Sequence, residues 1–251
     1  MNKLSQITDL LSNLKISENK IIIIHARIKT IKDNYDLADE SYGEITKTII
    51  DYLTKKFNPE TIIIPAYTFS YTKTGVYHKL FSKSEVGRFS EEARKIGYYR
   101  TPDPIFSFID TKSYFEDHKV NHKIAFGKGS IFEYFHNKDA VVLNIGLDKF
   151  IATQRHYAEY WYNVEYRFNK YFRGTVYNDE TNFEDINYEY YVRHLDRPTD
   201  GNLPKITKEL ISDNVLQVYK SNNVNLFWLT CQSYMDFFKS KMKSDINYMI
   251  K

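Results

Sequence analysis

Four stretches of the chain are apolar without alternation: residues 20–25, 61–66, 140–145 and 224–229, each rich in Ile, Val or Leu. A strand with one wetted face alternates apolar and polar positions, whereas an unbroken run suits a strand covered on both faces. Between these runs the period lengthens. Over residues 40–57, Ile45, Ile49, Ile50, Leu53 and Phe57 fall on one side of a helix. Shorter helical patterns cover residues 130–136 and 153–160, and residues 231–249 turn Met235, Phe238 and Met242 inward. Residues 1–15 carry Leu4, Ile7, Leu10, Leu11 and Leu14 at the same spacing. Strands alternating with helices predict an α/β fold, a three-layer sandwich around a central mixed sheet.

Residues 161–204 break this rhythm. Tyr162, Tyr166, Tyr171, Tyr177, Tyr188, Tyr190 and Tyr191 are spread among polar breaks at Gly174, Asn178 and Asp179, and around Pro198 and Gly201. The pattern predicts an antiparallel, aromatic-rich insertion beside the main sheet, serving as a substrate wall or simply packing on itself. No Ser/Gly-rich or Pro-rich linker interrupts the chain, so one domain over residues 1–251 is expected.

Composition narrows the class. Aromatic residues make up 16% of the chain and include 22 tyrosines, which argues against disorder. The longest apolar run, residues 21–24, is far too short to span a membrane. The first residues lack the basic start and continuous apolar core of a secretory signal. One cysteine, Cys231, excludes an internal disulfide and a cysteine-based zinc site, and a reducing cytoplasm is the expected compartment. The formal charge of +3 is spread over interleaved acids and bases. It predicts no nucleic-acid or membrane partner, suits an anionic small molecule such as coenzyme A, and leaves a monomer or a homodimer open.

Candidate chemistry lies where strands end. In layered α/β sheets, ligands bind beyond the carboxyl ends of the strands. This places His25, Ala26, Arg27 and Ile28 after the first run, and Tyr67, Thr68, Phe69 and Ser70 after the second, at a crevice. An ordinary strand exit is the competing reading. Ser90, with Glu91 and Glu92 behind it, reads as a helix cap. Pro102 and Pro104 fix an extended path for residues 100–108, in which Arg100, Asp103, Ser107 and Phe108 are held. The Phe126-Gly127-Lys128-Gly129-Ser130 loop enters a helix, too short a pattern for a mononucleotide loop. His156 and Glu159, three apart on a helix, share a face. Imidazole titrates near neutrality and so suits a general base, with the carboxylate orienting it. A solvated helix face, or two ligands of a metal with His118 and His122 as further candidates, are the alternatives; nothing in the sequence links the two pairs, and no metal is expected. No nucleophile elbow is present and Cys231 follows an apolar strand. These features favour direct transfer over a covalent intermediate.

These strings, in this order, resemble the aminoglycoside N(3)-acetyltransferase family, coenzyme A-dependent enzymes outside the common N-acetyltransferase fold, over roughly residues 3–230. The resemblance implies N-acylation through a ternary complex, with His156 as catalytic histidine and Glu159 as its acidic partner. It implies coenzyme A contacts at His25, Ala26, Arg27, Ile28, Tyr67, Thr68, Phe69, Ser70, Arg100, Ser107 and Phe108. The sequence also departs from the family. Ala26 and Arg27 replace a Ser-Ser pair. Residues 103–107 replace a His-Pro-x-His-Ser string. Arg193 and His194 stand where acidic residues facing a polycation are expected, and only Asp196 is kept. The leading expectation is therefore an acyltransferase for a nucleotide-linked amino sugar of surface polysaccharide synthesis, with Asp103, Arg193 and Asp196 at the acceptor. An aminoglycoside acetyltransferase and an inactive coenzyme A-binding module are the alternatives.

Overall fold

The computed structural model describes residues 3–250. Met1, Asn2 and Lys251, and with them the ends of the expected domain and the start of the first helical pattern, lie outside the described residues. The chain runs α1 (Ser5–Leu11), β1 (Ile21–Ala26), α2 (Ile28–Asn34), α3 (Tyr42–Phe57), β2 (Thr61–Pro65), α4 (Tyr71–Thr74) and β3 (Val76–His78). Next come α5 (Arg88–Ile96), β4 (Tyr99–Arg100), β5 (Phe108–Asp110), α6 (Tyr114–Asp117), α7 (Ile131–Asn137), β6 (Val141–Ile145) and α8 (Arg155–Trp161). The long hairpin β7 (Arg167–Tyr177) and β8 (Phe183–Arg193) follows, then α9 (Leu203–Ser212), β9 (Gln217–Ser221), β10 (Val224–Thr230) and α10 (Cys231–Met242).

Seven strands form the main sheet in the order β4-β5-β2-β1-β6-β10-β9. The four unalternating runs are its four adjacent inner strands. β1 pairs parallel with both β2 and β6, and β10 joins β6 antiparallel, so the sheet is mixed. Both faces of β1 are covered, as its composition requires. Ile22 and Ile24 pack into one core with residues of α1, α2, α3 and α5; Ile21 and Ile23 pack into another with residues of α7, α8, α9 and α10. That arrangement gives the three layers. No helix among the described residues is long and apolar enough to cross a membrane.

Local chemistry sets the helix ends. Ser41 and Glu44 form a reciprocal capping box at the start of α3, two residues later than the apolar period suggested, and Asn58 closes the helix in the left-handed conformation. Ser90 does not cap α5. Gly87 precedes that helix, and Ser90 is buried inside its first turn. α10 stops at Met242, short of residue 249.

The insertion contains the antiparallel β7–β8 pair, but its sheet is mixed, because β3 adds to β7 in parallel. Gly174 is therefore no break in the chain. It lies inside β7, where a Cβ would stand 2.2 Å from the Gly75 carbonyl oxygen. Only glycine lets the segment leading into β3 approach this closely. Gly174→Ala should destabilise the fold by about 1–3 kcal/mol, read as a lowered midpoint in thermal unfolding. Gly43→Ala, on α3 with no neighbour closer than 3.6 Å, should leave the midpoint unchanged or raise it.

Candidate active site

β1 lies between β2 and β6 and is parallel to both, so the three carboxyl ends share one side of the sheet, where their loops bound a crevice. Two adjoining cavities of about 580 and 360 Å³ occupy that position. Ala26, Arg27 and Ile28 line the larger. His25, Ala26, Tyr67 and Phe69 line the smaller. The walls of the larger carry Arg27, Lys29, Arg88 and Lys149 against Asp148 alone. Such a surface suits an anionic ligand. Arg27 donates to Asp148 at 3.0 Å, but both side chains are exposed, and an exposed pair of this kind exchanges partners at little cost. Burial holds the His25 imidazole down at about 4, so the floor of the smaller cavity is neutral.

Several residues expected at this cleft are placed elsewhere. Arg100 is buried, and its guanidinium donates to the Ala66 carbonyl at 2.6 Å, the Thr68 hydroxyl at 2.9 Å, the Ser107 hydroxyl at 3.1 Å and the Ser82 carbonyl. With a further bond to the Lys79 carbonyl at 3.4 Å, it ties the exit of β2 to the entry of β5 and has no donors left for a phosphate. Thr68 and Ser107 are its buried partners, Phe108 is core, and Ser70 bonds to Glu85. Asp103 is also internal. It accepts from the backbone N–H groups of Ile105 and Phe106 and from the Tyr188 hydroxyl at 3.0 Å, and burial raises its carboxyl to about 7. It anchors the 100–108 turn, both its carboxylate oxygens being engaged by internal donors. A rigid proline-flanked segment suggested exposure of its polar groups; here the rigidity serves to bury them.

The pair on α8 is assembled as the spacing predicted. His156 Nδ1 lies 2.5 Å from Glu159 Oε2. A carboxylate this close requires a proton on Nδ1, which leaves the Nε2 lone pair free. Glu159 keeps 2% of its side chain exposed and His156 15%. A third residue joins them: Arg167, the first of β7, places Nε 2.6 Å from Glu159 Oε2. Burial, followed by the nearby Arg167 charge, pushes the His156 imidazole down to about 3. Burial opposes ionisation of Glu159, but the hydrogen bond to His156 and the Arg167 charge outweigh it and hold the carboxyl below its usual range. Because the guanidinium is a permanent cation, the arrangement at neutral pH is a carboxylate–guanidinium pair beside a neutral imidazole.

A third cavity, of about 600 Å³, lies along the outer part of the β7–β8 hairpin and is lined by Phe168, Lys170, Phe172, Tyr190, Arg193 and Asp196, among others. Arg193 and Asp196 thus stand where an acceptor wall was expected. Arg193 pairs with Asp200, and Asp196 lies 3.7 Å from His194 and 3.8 Å from Arg197. An aromatic cluster separates this groove from the cleft. The Phe106 ring meets Tyr67 at 5.0 Å on one side and Tyr190 at 5.1 Å on the other. Phe126 meets Phe106 at 5.3 Å and the His156 ring at 5.6 Å. His156 itself lines neither cavity; Thr153, one turn ahead of it, lines the smaller part of the cleft. Among the described residues, no group of three or more His, Cys, Asp or Glu side chains is placed to hold a metal ion.

Sequence reasoning missed Arg88, Leu147, Asp148, Lys149 and Thr153 in the cleft. The loop after the third apolar run, extended to Lys149, would have supplied three of them by the same strand-end rule that gave His25 and Tyr67. The different duties of the arginines can be measured. Arg100→Ala strands several buried acceptors and should cost about 3 kcal/mol or more in unfolding free energy. Arg27→Ala should leave the unfolding midpoint unmoved and weaken coenzyme A binding in calorimetry.

The fold and the sequence both have relatives. The structure superposes on the aminoglycoside acetyltransferase AAC(3)-IIb with a TM-score of 0.74 at 15% identity, covering 98% of each chain. It superposes on AAC-IIIb, solved in binary complex with CoASH, with a TM-score of 0.72 at 14% identity, covering 96% of each chain. The YokD protein from Bacillus subtilis matches with a TM-score of 0.70 at 15% identity, over 95% of this chain and 98% of that one. No curated protein sequence matches significantly. The sequence profile described as aminoglycoside 3-N-acetyltransferase matches residues 25–243, a span that includes the β1 crevice, the His156–Glu159 pair and the hairpin. The chain belongs to the aminoglycoside 3-N-acetyltransferase family and is an acyl-CoA-dependent N-acetyltransferase.

Proposed function

We propose that the chain transfers an acyl group from acyl-CoA to the amine of a nucleotide-linked amino sugar, by direct attack with His156 as general base. The acyl-CoA would lie in the β1 crevice, its phosphates toward Arg27, Lys29, Arg88 and Lys149. His156 Nε2 would take a proton from the acceptor amine as the nitrogen attacks the thioester carbonyl. The carbon–sulfur bond then breaks, and the proton passes to the departing thiolate. Glu159 would hold the imidazole with Nε2 turned away from the carboxylate, and stabilise the positive charge that develops on it.

The composition of the hairpin groove carries the choice of acceptor. An aminoglycoside brings several ammonium groups, whose desolvation carboxylates must offset. This groove offers Lys170, Arg193 and His194 against Asp196, with the rings of Phe168, Phe172 and Tyr190 between them. Arginine and lysine suit a diphosphate, and the rings suit a nucleobase. Asp196 is left for a sugar hydroxyl, with the amine reaching His156 past the Phe106–Phe126 cluster. The aminoglycoside reading is favoured by family membership and by that same aspartate.

Turnover, followed as free thiol released from acetyl-CoA, should be faster with a dTDP- or UDP-linked amino sugar than with kanamycin- or gentamicin-type acceptors. Reaction with the antibiotics alone would overturn the acceptor assignment. His156→Ala should lower kcat by about 10²–10⁴-fold with little change in coenzyme A affinity, and Glu159→Gln should lower it less. Near-normal turnover of His156→Ala at neutral pH would remove His156 as the base.

A further inference from the structure

We propose that Arg167 is a positioning residue for acyl transfer, a buried guanidinium from the hairpin that pairs with Glu159 and keeps the imidazole of His156 uncharged. The inference rests on His156 acting as the base. Arg167 opens β7, and 6% of its side chain is exposed. Each end of its guanidinium is engaged. Nε lies 2.6 Å from Glu159 Oε2, and Nη1 donates to the Tyr191 carbonyl on β8 at 3.1 Å. Nη2 lies 2.9 Å from His156 Nδ1; because a guanidinium only donates, this contact sets a positive charge against the ring, and the proton on Nδ1 is held by Glu159. The guanidinium therefore touches both members of the dyad while its own backbone anchor holds it in place.

Charge counting shows what this contact does. A buried carboxylate needs a cation. Were His156 the sole cation available to Glu159, the stable pair would be imidazolium and carboxylate, and the base would already carry the proton it is meant to accept. Arg167 supplies the positive charge permanently, because guanidinium does not deprotonate in proteins. Glu159 can then stay ionised while His156 stays neutral, giving Nδ1–H to the carboxylate and leaving Nε2 open. The other groups around His156 do not reverse this. On α8 itself, Arg155 adds a second positive charge and Glu159 is the single negative one. From the segment before β7, Tyr166 donates its hydroxyl to Glu159 Oε1 at 3.3 Å. From β8 come Tyr190 and Tyr191, and from α10 Tyr234, all with hydroxyls that burial keeps protonated at neutral pH. The Phe126 ring is uncharged.

The sign of the pH effect follows. A lowered imidazole pKa keeps Nε2 free as pH falls, so the acidic limb of kcat/KM should lie below the usual imidazole value of about 6.5. Removing the positive charge should raise that limb by about one to two pH units. The test uses the full chain labelled with ¹⁵N-histidine, with long-range ¹H–¹⁵N spectra between pH 5 and 8. Wild-type His156 should remain neutral with its proton on Nδ1 throughout. An imidazolium at pH 7, or a neutral ring protonated on Nε2, overturns the proposal without any variant being made. Arg167→Gln should protonate at higher pH in the same spectra, and should lose more kcat/KM at pH 5.5 than at pH 8. Arg167→Lys, which keeps the charge, should retain the low limb. An equal loss at every pH with an unmoved limb would reduce Arg167 to a packing role and overturn the proposal. If Arg167→Gln does not fold, the wild-type spectra and the Arg167→Lys limb decide it. Full turnover by His156→Ala would instead sink the assignment of the base, leaving the tautomer measurement to stand or fall separately.

Discussion

Glu159 is almost entirely removed from water, and an ionised carboxylate so placed needs a cation that arrives with the fold. Its own helix offers His156, an imidazole whose burial disfavours the charged form. The cation comes instead from the hairpin, as Arg167, so the ion pair joins a helix packed on the main sheet to the first residue of the second sheet. One apolar cluster follows the same path, running from Ile21 and Ile63 in the main sheet through Tyr157 and Ala158 on α8 to Tyr188 and Tyr191 on β8. The chemistry of the dyad is thus tied to the docking of the hairpin. A hairpin displaced by a residue would leave a charge unpaired in the core, a penalty of several kcal/mol.

Two further contacts secure the hairpin, and the first uses a residue that the sequence presented as a candidate for ligand binding. Asp103 receives the Tyr188 hydroxyl from β8 at 3.0 Å. The segment after Gly75 lies against Gly174, bringing β3 into register with β7. Arg100 does comparable work on the main sheet by gathering the Ala66 and Ser82 carbonyls. The polar groups of residues 100–108 are consumed in holding the strand ends at fixed positions. The crevice is bounded by those strand ends, so these residues shape the cleft through their internal hydrogen bonds.

How far the sequence revealed this depended on whether a feature was local. The inner strands were legible because burial on both faces writes an unbroken apolar run into four or five residues. The His156–Glu159 pair was legible because helical spacing fixes it, and the crevice because strand ends determine it. Arg100, Asp103 and Arg167 were not legible in their actual roles. Each acts on a partner from a different element, and the chain carries no mark of which buried carboxylate a distant arginine will meet. The parallel addition of β3 was hidden for the same reason: it rests on two glycines 99 residues apart in the chain, and a glycine at such a contact reads locally as a turn.

This distribution of duties bears on how the acceptor is chosen. The crevice side of the site is built on the ends of strands that are also the core, so its shape cannot change without disturbing the sheet. The outward face of the hairpin is less constrained. Tyr188 on that face is buried and holds Asp103, but Phe168 and Lys170 are exposed on it. Their identities can vary with little effect on stability, whereas Arg167, a single position away from Phe168, is locked to Glu159. Successive residues of a strand point to opposite faces. One hairpin therefore keeps the Glu159–Arg167 pair fixed on one face, while exposed side chains of its other face are free to vary.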